Sequence, residues 1–127
     1  MFELIDLKGL ILSIIYEELE ESVGESATKY DELKDEVESL VTQYTNYTTE
    51  MIAGEDYSEI KNQLRRPFAW ILEYYSLSHL NEPTDFQQKR ILRNYDDALS
   101  MLSSFPSYNE DTDSPNSYNV DMEVEKW

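Results

Sequence analysis

The chain has 127 residues, a formal net charge of −17 and no cysteine. That length allows one small domain, with at most a tail, and the missing cysteines remove disulfides, thiolate metal sites and cysteine nucleophiles. A charge of this sign and size speaks against binding nucleic acid through a broad basic face.

The charge is unevenly spread. Residues 1–54 hold 13 acids against 3 bases, residues 55–105 hold 8 against 6, and residues 106–127 hold 6 against 1. Acids fill the first half, and the cations collect in the second as Lys61, Arg65, Arg66, Lys89, Arg90 and Arg93.

The opening "MFELIDLKGLILSIIYEELEE" carries Glu3 and Asp6 where a signal peptide has a basic region, and no small-residue cleavage site follows. Its apolar run, Leu10 to Tyr16, falls far short of the ~20 residues that span a bilayer. A soluble protein made in the cytoplasm is expected. Leu4, Leu7, Leu10, Ile11, Ile14, Ile15 and Leu19 recur at steps of three and four. They predict one helix, with Asp6 as N-cap and an end near Gly24.

From Asp31, the face formed by Leu33, Val37, Leu40, Val41, Tyr44, Tyr47, Met51 and Ile52 predicts a second helix running to Gly54. Asp31, Glu32, Asp35, Glu36 and Glu38 crowd its first turns, where they favour the positive end of the helix dipole. Pro67 is costly inside a helix but welcome at its start. A short helical turn over 58–66 and then a helix from Pro67 to about His79 are expected, a single helix kinked at Pro67 being the alternative. Phe68, Ile71, Leu72, Tyr75 and Leu77 are assigned to the core, with Trp70 and Tyr74 at its edge. Thr84-Asp-Phe-Gln87 is a capping-box pattern that opens the last helix. Its inner face is Phe86, Ile91, Leu92, Tyr95, Ala98, Leu99 and Leu102, and Pro106 stops it. Residues 1–105 thus form an all-α bundle of about four helices.

Residues 106–127 differ. Ser, Asn, Asp, Pro and Tyr dominate up to Asn119, which predicts an extended acidic C-terminal arm. Tyr118, Val120, Met122 and Val124 then alternate with Asn119, Asp121, Glu123 and Glu125. This period of two, closed by Trp127, suits a strand added to another chain's sheet edge; a disordered acidic tail is the alternative.

Catalytic patterns are sparse. The single His79 reads as structural, and Ser76 stands where a di-iron Glu-x-x-His pair needs its Glu. "NEDTDSPNS" echoes a calcium loop through Asn109, Asp111 and Asp113. However, Ser114 replaces the turn glycine and Val120 the bidentate Glu. Gly9, Gly24 and Gly54 are isolated, so no phosphate loop is formed. No catalytic residue, cofactor or metal is expected, and the chain is not read as an enzyme.

"EVESLVTQYTNYTTEMI", a polar turn, "LRRP" with "FAWILEYYSL", and "QQKRILRNYDDALSMLSSF" follow one another over Asp35 to Phe105. This order, with Arg90, Arg93, Tyr95, Asp96, Asp97, Ala98, Leu99 and Leu102 after Tyr75 and Leu77, resembles the head–tail connector (adaptor or head-completion) proteins of tailed bacteriophages, the phage Mu-like branch above all. The resemblance implies a structural virion protein at the head–tail neck. Such a protein forms a homo-oligomeric ring, commonly a dodecamer, that joins the portal to the tail or stopper proteins. DNA would pass through its channel without specific binding, and acidic walls would keep it from sticking. The long acidic first helix and the tail after Phe105 depart from that pattern.

Charge segregation gives the same picture a physical basis, since head-to-tail contacts between identical subunits close into rings. Arg65, Arg66, Arg90 and Arg93 are assigned to meet Asp31, Glu32, Asp35, Glu36 and Glu38 of the next subunit. Tyr118, Val120, Met122, Val124 and Trp127 would anchor the arm. The bland alternative has these cations offset local acids such as Glu73 and Asp96, in surface pairs worth under ~1 kcal/mol each. A competing function is an acidic DNA mimic that inhibits a nucleic-acid-binding enzyme, and a generic helical interaction module is the third. The mimic rests on the charge, but the Arg cluster would interrupt its rows of carboxylates.

Overall fold

The computed structural model describes residues 1–21, 29–77, 83–109 and 114–115. Among these the chain forms five α-helices: α1 (Ser13–Glu21), α2 (Lys29–Thr45), α3 (Thr49–Ile52), α4 (Ser58–Ser76) and α5 (Asp85–Ser104). Two 3-10 turns, Leu4–Leu7 and Glu55–Tyr57, precede α1 and α4. Tyr108–Asn109 pairs antiparallel with Ser114–Pro115 as a two-residue bridge, Tyr108 opposite Pro115. The fold is all-α. α4 and α5 make its most extensive contact, and α2 packs against both. Val37, Val41, Leu64, Phe68, Ile71, Leu72, Ile91, Ala98 and Leu102 are fully buried along that seam, so the apolar stripes of the three long helices supply most of the core.

The first predicted helix is broken. Leu4–Leu7 is a 3-10 turn whose N-cap is Glu3, with Asp6 as the third residue of a reciprocal capping box. Gly9 then takes φ 90°, a left-handed backbone that a continuing helix cannot contain and that glycine adopts without strain. The apolar spacing survives the break, for Leu7, Ile11, Ile15 and Leu19 are all buried while Ile14 is 47% exposed. Gly24 lies outside the described residues.

The second predicted helix also divides. α2 ends at Thr45 because Asn46 sits at φ 64°, a conformation Asn tolerates better than other side-chain-bearing residues. Thr48 caps α3, its hydroxyl accepting the Met51 N–H at 3.3 Å. The break turns the Tyr47 side chain wholly inside. Its ring meets those of Phe105 and Tyr108 edge-on, at centroid distances of 6.2 and 5.6 Å. The segment after α5 therefore begins by folding back onto the body. The Tyr47 hydroxyl is buried with no partner among the described residues; burial, and secondarily Tyr57, pushes its pKa up to about 12.

At Pro67 neither a break nor a new start occurs: α4 runs continuously from Ser58 to Ser76 with Pro67 buried inside it. An interior proline removes one backbone bond and costs ~3 kcal/mol. Burial of Leu64, Phe68, Ile71 and Leu72 on the same helix outweighs that, at roughly 1.5–3 kcal/mol for each such side chain. The helix stops at Ser76, three residues before the expected end, and His79 lies outside the described residues. Trp70, Tyr74, Tyr75 and Leu77 are all half-buried against the core.

The last helix starts where its sequence places it. Thr84 Oγ1 accepts the Gln87 N–H at 3.1 Å, and Gln87 Oε1 accepts the Thr84 N–H at 2.9 Å, so two orphan donors are satisfied reciprocally. Its inner stripe is narrower than expected. Ile91, Ala98 and Leu102 are buried, Tyr95 and Leu99 half-buried, but Phe86 is 74% and Leu92 47% exposed. Thr84→Ala removes the cap and should lower stability by about 1 kcal/mol. Thermal unfolding followed by circular dichroism measures this, and an unchanged midpoint would mean that the box contributes nothing to α5.

Candidate functional site

The six cations lie on α4 and α5 but do not act alike. Arg66, Lys89 and Arg93 are exposed, whereas Lys61, Arg65 and Arg90 are half-buried. Arg65 Nη2 donates to Asn62 Oδ1 at 2.9 Å, one turn back on the same helix. The Arg66 guanidinium lies 5.8 Å from the Trp70 ring centre, near enough for the aromatic face to hold its orientation. Lys61 stands over the Phe2 ring at 5.6 Å. Arg66, Lys89 and Arg93 thus supply most of the outward positive charge.

Arg90 turns inward. Its Nη2 lies 3.9 Å from Glu73 Oε2, and the Glu73 side chain is 0% exposed. The same carboxylate oxygen accepts the Leu12 N–H at 2.7 Å, from the stretch that follows the turn at Gly9. Glu73 Oε1 has no hydrogen-bond partner among the described residues. Burial raises the pKa of Glu73, and the Leu12 N–H, Arg90 and Asn94 oppose the rise in that order without cancelling it. Asn94 lies near enough to favour the charged form, yet does not satisfy Oε1. The pairing of Arg90 with Glu73 is therefore a buried interaction and not the weak surface pair that the sequence suggests. Arg90 also lines a hollow of about 390 Å³ with Lys8, Leu12, Tyr16 and Glu20.

The acids form their own face. Asp31, Glu32, Asp35 and Glu36 are exposed on the first turns of α2, and Glu38 is half-buried. Asp31, Asp35 and Glu38 follow at steps of four and three and share one side of the helix. Two of the group have partners within the chain: Lys34 Nζ lies 3.9 Å from Asp31, and the Met1 amino group pairs with Glu38. The acids at the first turn of α2 are favoured by the helix dipole, which explains the local density of charge without requiring a ligand.

The arm residues Tyr118, Val120, Met122, Val124 and Trp127 lie outside the described residues. Among the described residues no three acidic or histidine side chains are placed to hold a metal, and no helix is long and apolar enough to cross a membrane. Two charged faces on different helices, one of them carrying an exposed aromatic ring, can perform electrostatic and apolar recognition of another macromolecule. The sequence gives little sign that Glu73 is buried, since Glu on a helix is ordinarily solvated. Its place between Leu72 and Tyr74, on the α4 face that meets α5, is the one available clue. No protein-family model, no curated protein and no solved structure matches the chain.

Glu73 gives a pH test whose sign follows from its raised pKa. In the window between the ordinary carboxylate value and the raised one, the folded state binds a proton that the unfolded state does not, so this group's contribution to stability grows as pH falls. Glu73→Gln mimics the protonated form. It should be more stable than the parent at neutral pH, with the difference closing as pH falls through that window. Arg90→Met should destabilise the parent by roughly 1–3 kcal/mol, below the usual cost for a buried pair because Arg90 is partly solvated, and should cost less in the Glu73→Gln background. Urea titrations at several pH values measure both effects; equal costs of Arg90→Met in the two backgrounds would show that the two side chains are not coupled.

Proposed function

We propose that the chain is a structural, self-assembling protein: a subunit of a ring that joins a phage portal to its tail and extends the DNA channel. The observation that carries this is the uneven placement of charge within one small helical domain: Asp31, Glu32, Asp35 and Glu36 stand exposed on α2, whereas the exposed cations Arg66, Lys89 and Arg93 lie on α4 and α5, among the exposed acids Glu59, Asp85, Asp96 and Asp97. Copies arranged head to tail bring unlike faces together, and such contacts close into rings when the rotation allows. The order of motifs over Asp35 to Phe105, which resembles phage head–tail connectors, supplies the biological setting. On this proposal the partners are other copies, the portal and the tail or stopper proteins, the place is the virion neck, and no catalytic step is involved.

The structure refines which cations to test. Arg90 is engaged with Glu73, so a charge reversal there would disturb the fold as well as any interface. Arg66→Glu with Arg93→Glu changes only exposed side chains. Light scattering at low and high salt, alone and with a portal protein, should find a ring-sized species that salt dissociates, or a monomer captured by the portal. The double variant should retain its helicity and lose that assembly. A monomer at every salt concentration that ignores the portal and competes with DNA for a nucleic-acid enzyme would instead establish the acidic mimic, the reading that the charge of −17 otherwise favours.

A further inference from the structure

We infer that Phe86 is an apolar plug that seats in a hollow beside α1 and α2 of a second copy of this chain. The inference rests on the self-assembly proposed above and names the contact that would carry it. Phe86 is 74% exposed on the first turn of α5. Lys89 and Arg93, both exposed, follow it at three and seven residues and share its face of the helix, while Arg90 turns inward to Glu73. Asp85 is the acid beside it in that turn. The plug is thus an aromatic ring bordered by positive charge.

The hollow has the matching character. It has a volume of about 510 Å³, larger than a phenylalanine side chain, and its apolar wall includes Leu4, Ile5 and Tyr16. Ile5 is 62% exposed. Glu3, Glu20 and Asp31 stand around the opening with Lys34 as the only base, so its border is net negative even with Lys34 held near Asp31. An aromatic anchor entering an apolar recess inside a ring of complementary charge is the arrangement that concentrates energy at protein interfaces. Phe86 is not among the residues that line this hollow. Tyr16 and Glu20 of α1 border both it and the separate hollow that Arg90 lines. Arg90, one turn beyond Phe86, thus lines the hollow next to the socket, and plug and socket are made of different residues of one subunit, as a heterologous contact requires. A second copy is the occupant that brings both charge patterns in the right sense.

The absence of cysteine makes a direct test clean. Ile5→Cys and Lys89→Cys leave Phe86 and the rest of the socket in place, and both side chains are exposed. The two single variants, mixed and oxidised in low salt, should form a mixed disulfide roughly tenfold faster than Ile5→Cys mixed with Ser103→Cys, because docking raises the effective thiol concentration. Adding Phe86→Ser to the Lys89→Cys variant should abolish that advantage. Light scattering on the parent separates the two ways of failing. An assembled parent with no preferential disulfide overturns the plug and leaves self-assembly standing, with its contact elsewhere. A monomeric parent that no portal protein captures, with no preferential disulfide, overturns both.

Discussion

The Glu73 carboxylate is the point on which the chain's tertiary arrangement converges. Gly9 turns the backbone so that Leu12 presents its N–H to the interior, and a buried N–H left without an acceptor costs about 1–3 kcal/mol. Glu73 supplies that acceptor from α4, 61 positions along the chain. Supplying it as a carboxylate places a charge where desolvation is expensive, and Arg90 approaches from α5 to compensate. Three parts of the chain are thereby tied together: the segment before α1, and the two helices of the central seam. The compensation is incomplete, since Oε1 is unpartnered among the described residues and the pKa stays raised. Replacing a buried pair of this kind by apolar residues is often neutral or stabilising, whereas removing one partner alone is costly.

What was legible in the sequence follows from the range of each interaction. The capping box at Thr84 and Gln87 involves neighbours three residues apart, and it forms as written. The buried stripe of α5 through Ile91, Ala98 and Leu102 is likewise local periodicity expressed as packing. The breaks at Gly9 and Asn46 were not legible, because each depends on a left-handed backbone that one residue permits but does not demand. At Asn46 the gain lies elsewhere, in the burial of Tyr47 beneath Phe105 and Tyr108. Pro67 misled for the opposite reason. Its local penalty is real, yet a long apolar face on either side of it outweighs one missing hydrogen bond. For the candidate site, the two groups of charges could be read from composition, but which cations face outward could not, since that depends on contacts with Asn62, Trp70 and Glu73.

This sorting of cations changes the electrostatic picture. Counted along the sequence, residues 55–105 are nearly balanced; among the described residues that are exposed, Glu55, Asp56, Glu59, Asp85, Asp96 and Asp97 stand against only Arg66, Lys89 and Arg93. Arg90 serves the interior and Arg65 is held to Asn62 of its own helix, which leaves Arg66, Lys89 and Arg93 as the outward cations of α4 and α5. Fewer outward cations mean a weaker but more localised attraction, centred on the turns of α5 that also expose Phe86.

Locality matters because exposed charges are screened within about 10 Å at 0.1 M salt. Acidic and basic faces on separate subunits can guide an encounter from further away only in dilute salt, and once in contact each exposed pair is worth under ~1 kcal/mol. Charge alone would therefore give an orientation without a durable contact. An apolar ring set among the cations supplies what charge lacks, since its burial is not screened and saves roughly 25 cal/mol for each Å² removed from water. Carboxylates on the first turns of α2 repel one another whenever two like faces approach, so isologous pairing through that face is disfavoured. In the assembly proposed above, the cations and Phe86 of one copy would meet the acids of the next, an approach that escapes this repulsion.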